Sequence, residues 1–285
     1  MFGAAVGTAV IVGALTVGDS VRYSLEKMAL ARLGDIQQAM VSNMRFFRDV
    51  LADEISAGVN QNTAAVLQLS GIASRPDGAR RANNIQVLGV EDDFWKLAAK
   101  PISLPKIHAG QIVVNTHLSR QLNVDVGDDL VIRVETPGTL PRDMPLATTE
   151  DIFTILRAEI VAIADAVQLG DFSLRTNQLP VFNVFVSRHW LAGHLEIGSK
   201  ANMLLVGGQS PGSVGELNRR LNDCWQLADA ELELHAVAGN KQLELRSRRV
   251  FIDQVVGREL DLRSIQTGIN SRSQDKRTSI LTYFV

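Results

Sequence analysis

The first eighteen residues of the chain are apolar almost throughout. The stretch MFGAAVGTAVIVGALTVG, residues 1–18, carries no charge, and its most polar side chains are two threonines. A helix of this length spans roughly 27 Å, close to the thickness of the hydrocarbon core of a membrane. The pattern therefore predicts a transmembrane helix over 1–18, with a buried core helix as the alternative. No Lys or Arg precedes Arg22, so the basic start of a signal peptide is missing.

The polarity changes at Asp19, and a helical pattern continues over 19–33. We interpret this stretch as a stalk that rises from the membrane and ends at Gly34, since glycine commonly follows a helix end. At the other end, residues 278–285 turn apolar again and predict the start of a second transmembrane helix. The sequence thus predicts a large domain between two membrane entries.

Two β-α-β units are predicted near the two ends of this domain. The first consists of strands at 35–42 and 64–72 around an amphipathic helix at 44–56. The second unit and its continuation comprise a strand at 201–206, a helix at 211–224 with Ser210 as its N-cap, strands at 232–237 and 242–247, and a helix at 251–260.

The region between the two units is a string of short strands, which predicts a mainly β insertion. Residues 74–84 (SRPDGARRANN) are rich in turn formers and charges and are interpreted as a linker into it. Residues 136–150 form a Pro-rich loop without a pattern. The predicted elements are strands at 85–90, 112–114, 130–135, 153–164 and 180–186, and helices at 92–97, at 115–122 with Asn115 as cap, and at 187–195.

Composition and charge narrow the possible functions. The chain has 285 residues and a net charge of −2, so no basic surface for nucleic acid is implied. Cys224 is the single cysteine, which excludes an internal disulfide and a multi-cysteine zinc site.

Candidate chemistry is sparse. The five histidines are spread along the chain, and His189 and His194 are too far apart for a zinc pair on one helix face. The glycine loop at 206–212 lacks the lysine and the spacing of a phosphate loop, so a tight turn is the better interpretation. The acidic run at 125–129 predicts a hairpin turn rather than a calcium loop.

Two further features have structural interpretations. Cys224, beside Trp225 on a predicted helix, is interpreted as a small buried hydrophobe. The carboxylates Glu91, Asp92 and Asp93 are interpreted as charges at a helix N-terminus rather than as an acid–base pair. The sequence therefore predicts no catalytic, cofactor-binding or metal-binding residue, and we expect the protein not to be an enzyme.

The order of these elements resembles the extracytoplasmic domain of ABC transporter permeases of the MacB/FtsX type. The resemblance covers essentially the whole chain, and no single motif is specific by itself. The segments that carry it are GALTVGDSVR at 13–22, RLG at 32–34, IQVLGV at 85–90 with Phe94 and Trp95, VVN at 113–115 with the helix that continues to Leu122, VGD at 126–128, and LTYF at 281–284.

The resemblance implies an α+β fold, in which a porter-like lobe of two β-α-β units carries an inserted mainly β, Sabre-like lobe. It also implies a location in the inner membrane with the main domain outside the cytoplasm. The implied division is a transmembrane helix at 1–18, a stalk helix at 19–33, the porter-like lobe at 34–79 and 198–277 with a return stalk, the Sabre-like lobe at 80–197, and the start of a second transmembrane helix at 278–285.

The same resemblance implies the partners. ATP hydrolysis would belong to a separate or fused ABC ATP-binding subunit, since this chain has no nucleotide motif. The permease would form a dimer in membrane lipid, would transmit ATP-driven motions, and could contact a periplasmic adaptor. It would need no cofactor and no nucleic acid, and the chain would be a fragment of a longer permease.

One observation opposes this orientation, and two other functions stay open. Basic residues at 22–32 and 272–277 flank the domain, which favours a cytoplasmic side, although long domains are translocated largely regardless of charge. The alternatives are a membrane-anchored extracytoplasmic sensor or adaptor without an ABC ATPase, and a soluble α+β enzyme whose first helix is core.

Overall fold

The computed structural model describes residues 2–59, 61–100, 104–137, 153–175, 179–208, 213–237 and 242–247. In chain order its helices and strands are α1 (Phe2–Ala31), β1 (Ile36–Val41), β2 (Phe47–Arg48), α2 (Leu51–Ser56), β3 (Asn62–Ser74), β4 (Arg81–Val90), α3 (Asp92–Trp95), β5 (Gln111–Asn115), α4 (Thr116–Leu122), β6 (Asp129–Glu135), β7 (Phe153–Ala164), β8 (Asn183–Ser187), α5 (Arg188–His194), β9 (Lys200–Ala201), β10 (Met203–Gly207), α6 (Val214–Cys224), β11 (Leu232–Val237) and β12 (Gln242–Ser247).

Helix α1 stands clear of the rest of the protein. It has 30 residues and is therefore about 45 Å long. Every side chain from 11 to 27 is exposed, including apolar ones such as Leu15 and Val17. The residues predicted to form a transmembrane helix and those predicted to form a stalk are thus parts of one helix. Within the described ranges, no helix combines the length and apolar character needed to cross a bilayer.

The chain turns from α1 into a small sheet. β1 and β3 both pair antiparallel with β10, so β10 lies between them. Helices α2 and α6 pack on one face of this sheet around Phe47, Leu51 and Leu204. We call β1, β10, residues 62–66 of β3 and these two helices the three-stranded lobe.

The second half of β3 belongs to a closed barrel. β3 pairs with β4 over 67–74 and with β6 over 71–74. Around the ring the order is β3, β4, β8, β5, β7, β6 and back to β3. Alternate residues of these strands point inward and fill the barrel with Leu, Ile and Val side chains. α4 and α5 contribute Leu118 and Leu191 to the same cluster.

A second apolar cluster joins the barrel to the three-stranded lobe. It combines Val66 and Leu205 of the lobe with Leu88 and Phe185 on the outside of the barrel and with Phe94 of α3. The ring of Phe94 lies 5.7 Å from that of Phe185. β3 runs through both sheets, and this apolar cluster lies between them. The barrel and the three-stranded lobe are therefore joined by a common strand and a common apolar cluster.

Most predicted elements are confirmed, and the predicted linker at 74–84 is wrong. These residues form the turn of the β3–β4 hairpin and the start of β4. The carboxylate of Asp77 accepts a hydrogen bond from the amide of Ala79, and Gly78 has a positive φ of 72°. Both features are typical of a tight turn. The predicted boundary at 79/80 therefore falls in this hairpin.

The helix predicted at 44–56 begins later than expected. Only Leu51–Ser56 is helical, and Phe47 and Arg48 instead pair with β9 as a short strand. Phe47 is buried in this arrangement and Val50 is 46% exposed. Tertiary pairing thus overrides a helical hydrophobic pattern here.

The second predicted β-α-β unit is only partly found. β10 and α6 are present, but β11 pairs with β12 as a separate hairpin rather than joining the sheet in the described part of the chain. α6 begins at Val214 with Ser213 as N-cap, not at Pro211. The predicted helix at 251–260, the return stalk and the second membrane entry at 278–285 lie outside the described residues. Most of the loop at 136–150 lies outside them too.

Candidate functional site at the junction of barrel and lobe

The ends of two parallel strands create a polar site beside the three-stranded lobe. β4 and β8 are parallel and end in register, with Val90 opposite Ser187. Parallel strands end at the same edge, so the residues that follow them are brought together. These are Glu91, which precedes α3, and Arg188, which opens α5.

β3 extends past the end of β4. In this stretch, side chains rather than the backbone of β4 bond to the backbone of β3. The last β3–β4 pair is Leu67 with Gly89, so the backbone of Ala65 lies beyond β4. Its carbonyl accepts a 2.7 Å hydrogen bond from the Arg188 guanidinium. That carbonyl is thereby satisfied where a strand would otherwise be needed. Asp93 of α3 lies near the same guanidinium.

Arg188 also makes a buried ion pair with the lobe. Its guanidinium lies 3.1 Å from the carboxylate of Asp49, just before α2, and both residues are more than nine-tenths buried. Separating such a pair leaves an uncompensated charge in a poorly solvated place, which costs several kcal/mol. The pair therefore opposes any movement of α5 away from α2.

His189 lies between two carboxylates at the surface of this site. Its Nδ1 is 2.8 Å from the Glu91 carboxylate, which also accepts hydrogen bonds from the His189 amide and the Ser187 hydroxyl. Its Nε2 is 3.8 Å from Asp49. We call Asp49, Glu91, Asp93, Arg188 and His189 the charged junction.

The surroundings shift two pKa values in opposite directions. Burial alone would raise the pKa of Glu91, but the hydrogen bonds from His189 and Ser187 bring it below its ordinary value. For Asp93, burial raises the pKa, and the positive charge of Arg188 opposes this only in part. Glu91 is thus stabilised as an anion, whereas the Asp93 anion is held at a cost.

A cavity of about 210 Å³ lies next to the charged junction, lined by Asp49, Arg188, His189, Gly198 and Lys200 among others. The charged groups that line it largely pair with one another or with backbone, and Lys200 lies 3.9 Å from Glu231. This arrangement of paired charges suits the mechanical connection of two parts of the fold.

A second polar contact fixes the segment after α6. Arg48 of β2 donates to both carboxylate oxygens of Asp229, a residue whose side chain is fully buried, and also to Glu54. The hydrogen bonds to Asp229 and then Glu54 raise the pKa of Arg48. The same guanidinium donates to the carbonyl of Cys224 at the end of α6.

The structure places the residues singled out in the sequence at separate points. His117 lies 3.4 Å from Asp171, and His194 contacts the carbonyl of Trp190. Among the described residues, no group of histidine, cysteine and acidic side chains could hold a metal ion. Cys224 is half-buried rather than buried, and packs at the edge of the lobe core.

Two predicted local structures can be compared with the structure. Residues 125–128 do form a turn, in which the carboxylate of Asp128 accepts a hydrogen bond from the amide of Asp125, but this turn joins α4 to β6, so the predicted hairpin turn is wrong. The predicted cap at Asn115 is confirmed. Asn115 caps α4 through a 3.1 Å hydrogen bond to the amide of Leu118. Of the glycine loop, the structure describes residues up to 208, and a Cβ at Gly207 would collide with the carbonyl of Asp35.

The charged junction was missed in the sequence. Glu91 and Asp93 were interpreted as helix-terminal charges, and they do lie at the start of α3. A usable signal was present, because Glu91 and Arg188 each follow a short apolar strand directly. Using this signal required knowing that β4 and β8 are parallel neighbours, which two residues 97 positions apart in the chain do not reveal.

Comparisons with known proteins give similarity in structure only. The chain matches no family model and no curated protein sequence. Its fold is similar to the periplasmic region of MacB from Actinobacillus actinomycetemcomitans, with a TM-score of 0.42, 9% identity, and coverage of 75% of this chain and 83% of that one. It is also similar to the extracellular domain of the noncanonic ABC-type transporter YknZ from Gram-positive bacteria, with a TM-score of 0.40, 12% identity, and coverage of 62% and 83%. Both are domains of the kind that the sequence resembles.

Proposed function

We propose that this chain is the extracytoplasmic part of an ABC transporter permease of the MacB/FtsX type. In this function it transmits ATP-driven motions of a partner ATPase to a substrate or partner outside the cytoplasmic membrane. The observation that supports this most strongly is α1, a helix about 45 Å long that stands free and leads straight into β1 of the three-stranded lobe.

The path from α1 into the domain is short. α1 ends at Ala31, and the turn after it contains Gly34, whose positive φ of 57° suits glycine. A Cβ at Gly34 would also collide with the carbonyl of Leu97, next to α3. β1 starts two residues later, so a displacement of α1 acts directly on the three-stranded lobe.

The lobe and the barrel are connected in three ways that suit force transmission. They share β3, they share an apolar cluster, and the buried ion pair of Arg188 and Asp49 bridges them. Well-packed interiors are stiff and transmit strain. A movement of α1 would therefore carry the barrel along with the lobe.

Several partners belong to the proposal. ATP binding and hydrolysis are assigned to an ABC subunit or fused domain, and residues 1–18 to the membrane on account of their uncharged sequence. The exposed apolar side chains of α1 suit contact with lipid or with α1 of a second permease subunit. A periplasmic adaptor is a further possible partner of the exposed barrel surface.

We assign the protein a moving and binding role rather than catalysis. The charged residues that cluster in the described part of the chain are engaged with one another or with backbone groups. Such an arrangement suits a load-bearing connection. A membrane-anchored sensor or adaptor without an ATPase is the second candidate, and the exposed length of α1 is compatible with it as well.

Co-purification tests the proposal. The full-length protein would be extracted from membranes in mild detergent, and ATPase activity would be measured in the purified sample. We expect an ABC ATP-binding subunit, or a fused one, whose turnover depends on this protein. A membrane protein that recruits no ATPase and has none fused would contradict the permease and favour the anchored sensor. Recovery in the soluble fraction would contradict both.

A further inference from the structure

β3 changes its neighbouring strands in the middle of its length. Up to Val66 it pairs with β10 of the three-stranded lobe, and from Leu67 onward it pairs with β4 of the barrel. β10 and β4 lie on opposite edges of β3, and β6 joins the β10 edge from Gly71. Around Val66 and Leu67, β3 therefore passes from a strand of the lobe on one edge to a strand of the barrel on the other. We call residues 65–68 the switch segment.

Two side chains bond to the backbone of the switch segment, one on each edge. Asn202 lies between β9 and β10, and its Oδ1 accepts a 2.7 Å hydrogen bond from the amide of Gln68. Its Nδ2 donates to the carbonyl of Gln68 at 2.8 Å. This side chain therefore satisfies both backbone groups of Gln68, as a neighbouring strand would. On the other edge, Arg188 donates to the carbonyl of Ala65.

Asn202 is itself held by the lobe. It is 3% exposed, and its backbone amide donates to the carbonyl of Val66 at 3.1 Å. Its carbonyl accepts hydrogen bonds from the amide and the hydroxyl of Ser42, which follows β1. Its Nδ2 also donates to the carbonyl of Asn43. A residue that is fixed to two strands of the lobe thus bonds to β3 where β3 already pairs with the barrel.

These hydrogen bonds fix an orientation that the apolar cluster between barrel and lobe does not fix. The hydrophobic effect is non-directional, so the cluster resists separation of the two parts more than it resists a small rotation between them. Hydrogen bonds weaken steeply when their angle falls below about 120°, so two bonds to one residue of β3 oppose such a rotation. Because Asn202 is buried, opening the contact would also leave buried polar groups unpaired.

We propose that the switch segment is a hinge between lobe and barrel and that Asn202 locks this hinge from one edge, while Arg188 closes the other. With the amide of Asn202 in place, lobe and barrel keep one relative orientation; without it, β3 bends at the switch segment. Asn202 is a positioning residue, since it acts through the backbone of β3. As a step in force transmission, the lock rests on the proposed function. It is measured without ATP, so a chain that recruits no ATPase would contradict that function and leave the lock standing.

Pulsed electron spin resonance tests the lock in the full-length protein. The labels are placed at two exposed positions, Arg133→Cys on the barrel and Arg219→Cys on the lobe, in a chain with Cys224→Ala. Asn202→Leu replaces the amide by a branched apolar group of similar shape. It should at least about double the width of the distance distribution, because bending at the hinge is no longer opposed. Asn202→Ser, a milder change that keeps one polar group, should widen the distribution by a smaller amount.

Asn183→Leu is the matched control. Asn183 is a buried asparagine of the barrel, and its Nδ2 also donates to two backbone carbonyls, those of Gly170 and Phe172. Its replacement should lower the midpoint of urea unfolding about as much as Asn202→Leu does, because similar buried hydrogen bonds are lost. The width of the distance distribution should stay as in the unchanged chain, because both carbonyls belong to the loop that follows β7 in the barrel.

Three outcomes would overturn the proposal. An unchanged width in a folded Asn202→Leu variant would show that Asn202 does not fix the orientation. Equal widening by Asn183→Leu would show that the distribution follows overall stability rather than a lock at β3. Loss of cooperative unfolding in both Asn202 variants would show that this residue is required for the whole fold and does not act at a hinge.

Discussion

The barrel and the three-stranded lobe differ in how the edges of their sheets are paired. In the barrel, β3 and β6 pair and close the ring, so each of its six strands has two neighbours and the interior is filled. In the lobe, β1 is the last strand of the sheet in the described part of the chain, and an apolar groove lies beside it. Closure removes the strand edges that invite pairing, whereas an open sheet keeps them available.

This difference suggests a division of roles. The barrel is built to keep its shape, since a filled barrel can change only by breaking several strand pairs at once. The lobe receives α1 where β1 begins and has an apolar groove along β1, so it is suited to respond to partners. The charged junction lies between the barrel and the lobe. It therefore connects the part that keeps its shape with the part that is suited to respond to partners.

The largest expected effect is a difference in stability between a substitution in the barrel core and a substitution at the edge of the lobe. Ile132 on β6 is fully buried in the barrel, and Val41 on β1 is 44% exposed. Ile132→Ala should lower the free energy of unfolding by about 4 kcal/mol, because it leaves a cavity in a closed core. Val41→Ala should change it by less than about 0.5 kcal/mol. Urea unfolding of both variants measures the difference, and similar costs would contradict the comparison.

The next effect concerns the connection between the two parts. Arg188→Met should destabilise the protein by about 3 kcal/mol, because Asp49 is left as a buried unpaired charge. Adding Asp49→Asn should restore part of the loss, which a double-mutant cycle measures. Arg157→Met, which removes an exposed ion pair with Asp129 on the barrel surface, should cost less than about 0.5 kcal/mol. A simple sum of the two single effects at the junction would contradict the bridging role.

A local effect is expected where the lobe holds the hairpin of β11 and β12. Asp229→Asn should weaken the hydrogen bonds from Arg48. The free energy of local opening of this hairpin should therefore fall by about 2 kcal/mol. Amide hydrogen exchange should speed up in β11 and stay unchanged in the barrel. Asp223→Asn, at an exposed position of α6, is the control. Faster exchange throughout the barrel would show that the two parts are not separable in this way.

The smallest effect is a pH dependence at the charged junction. Because the folded pKa of Asp93 is raised, its contribution to stability is fully present below the unfolded pKa of about 3.9 and is lost as pH rises through the folded value. Asp93→Asn should therefore stabilise the protein by about 0.5 kcal/mol at pH 7 and by nothing at pH 3. Asp92→Asn, at an exposed neighbouring position, is the matched control. Thermal unfolding at the two pH values measures both, and destabilisation by Asp93→Asn at pH 7 would contradict the assignment.

The sequence predicts the positions of strands and helices better than it predicts which strands pair with each other. Strand and helix positions from β3 to α5 follow from alternation, from turn residues and from a cap such as Asn115, all of which act over a few residues. The closed ring could not be predicted, because it depends on which strands become neighbours. The error at 44–56 has the same origin, since Phe47 and Arg48 pair with residues more than 150 positions away.

The candidate site shows this limit most clearly. The sequence contains each member of the charged junction, but Asp49, Glu91 and Arg188 are 42 and 97 positions apart and have no shared motif. These residues form a site only because β4 ends before it reaches Ala65. A site assembled by strand ends is recognisable only once the topology is known.

If the shared strand, the shared apolar cluster and the buried ion pair act as proposed, the barrel and the lobe move as one body under α1. Pulsed electron spin resonance between labels at Arg133→Cys on the barrel and Arg219→Cys on the lobe, with Cys224→Ala, tests it directly in the full-length protein. We expect one narrow distance distribution that is the same with and without ATP and a co-purified ATPase. A broad distribution, or one that shifts on ATP addition, would show that the barrel and the lobe move against each other and are not one body.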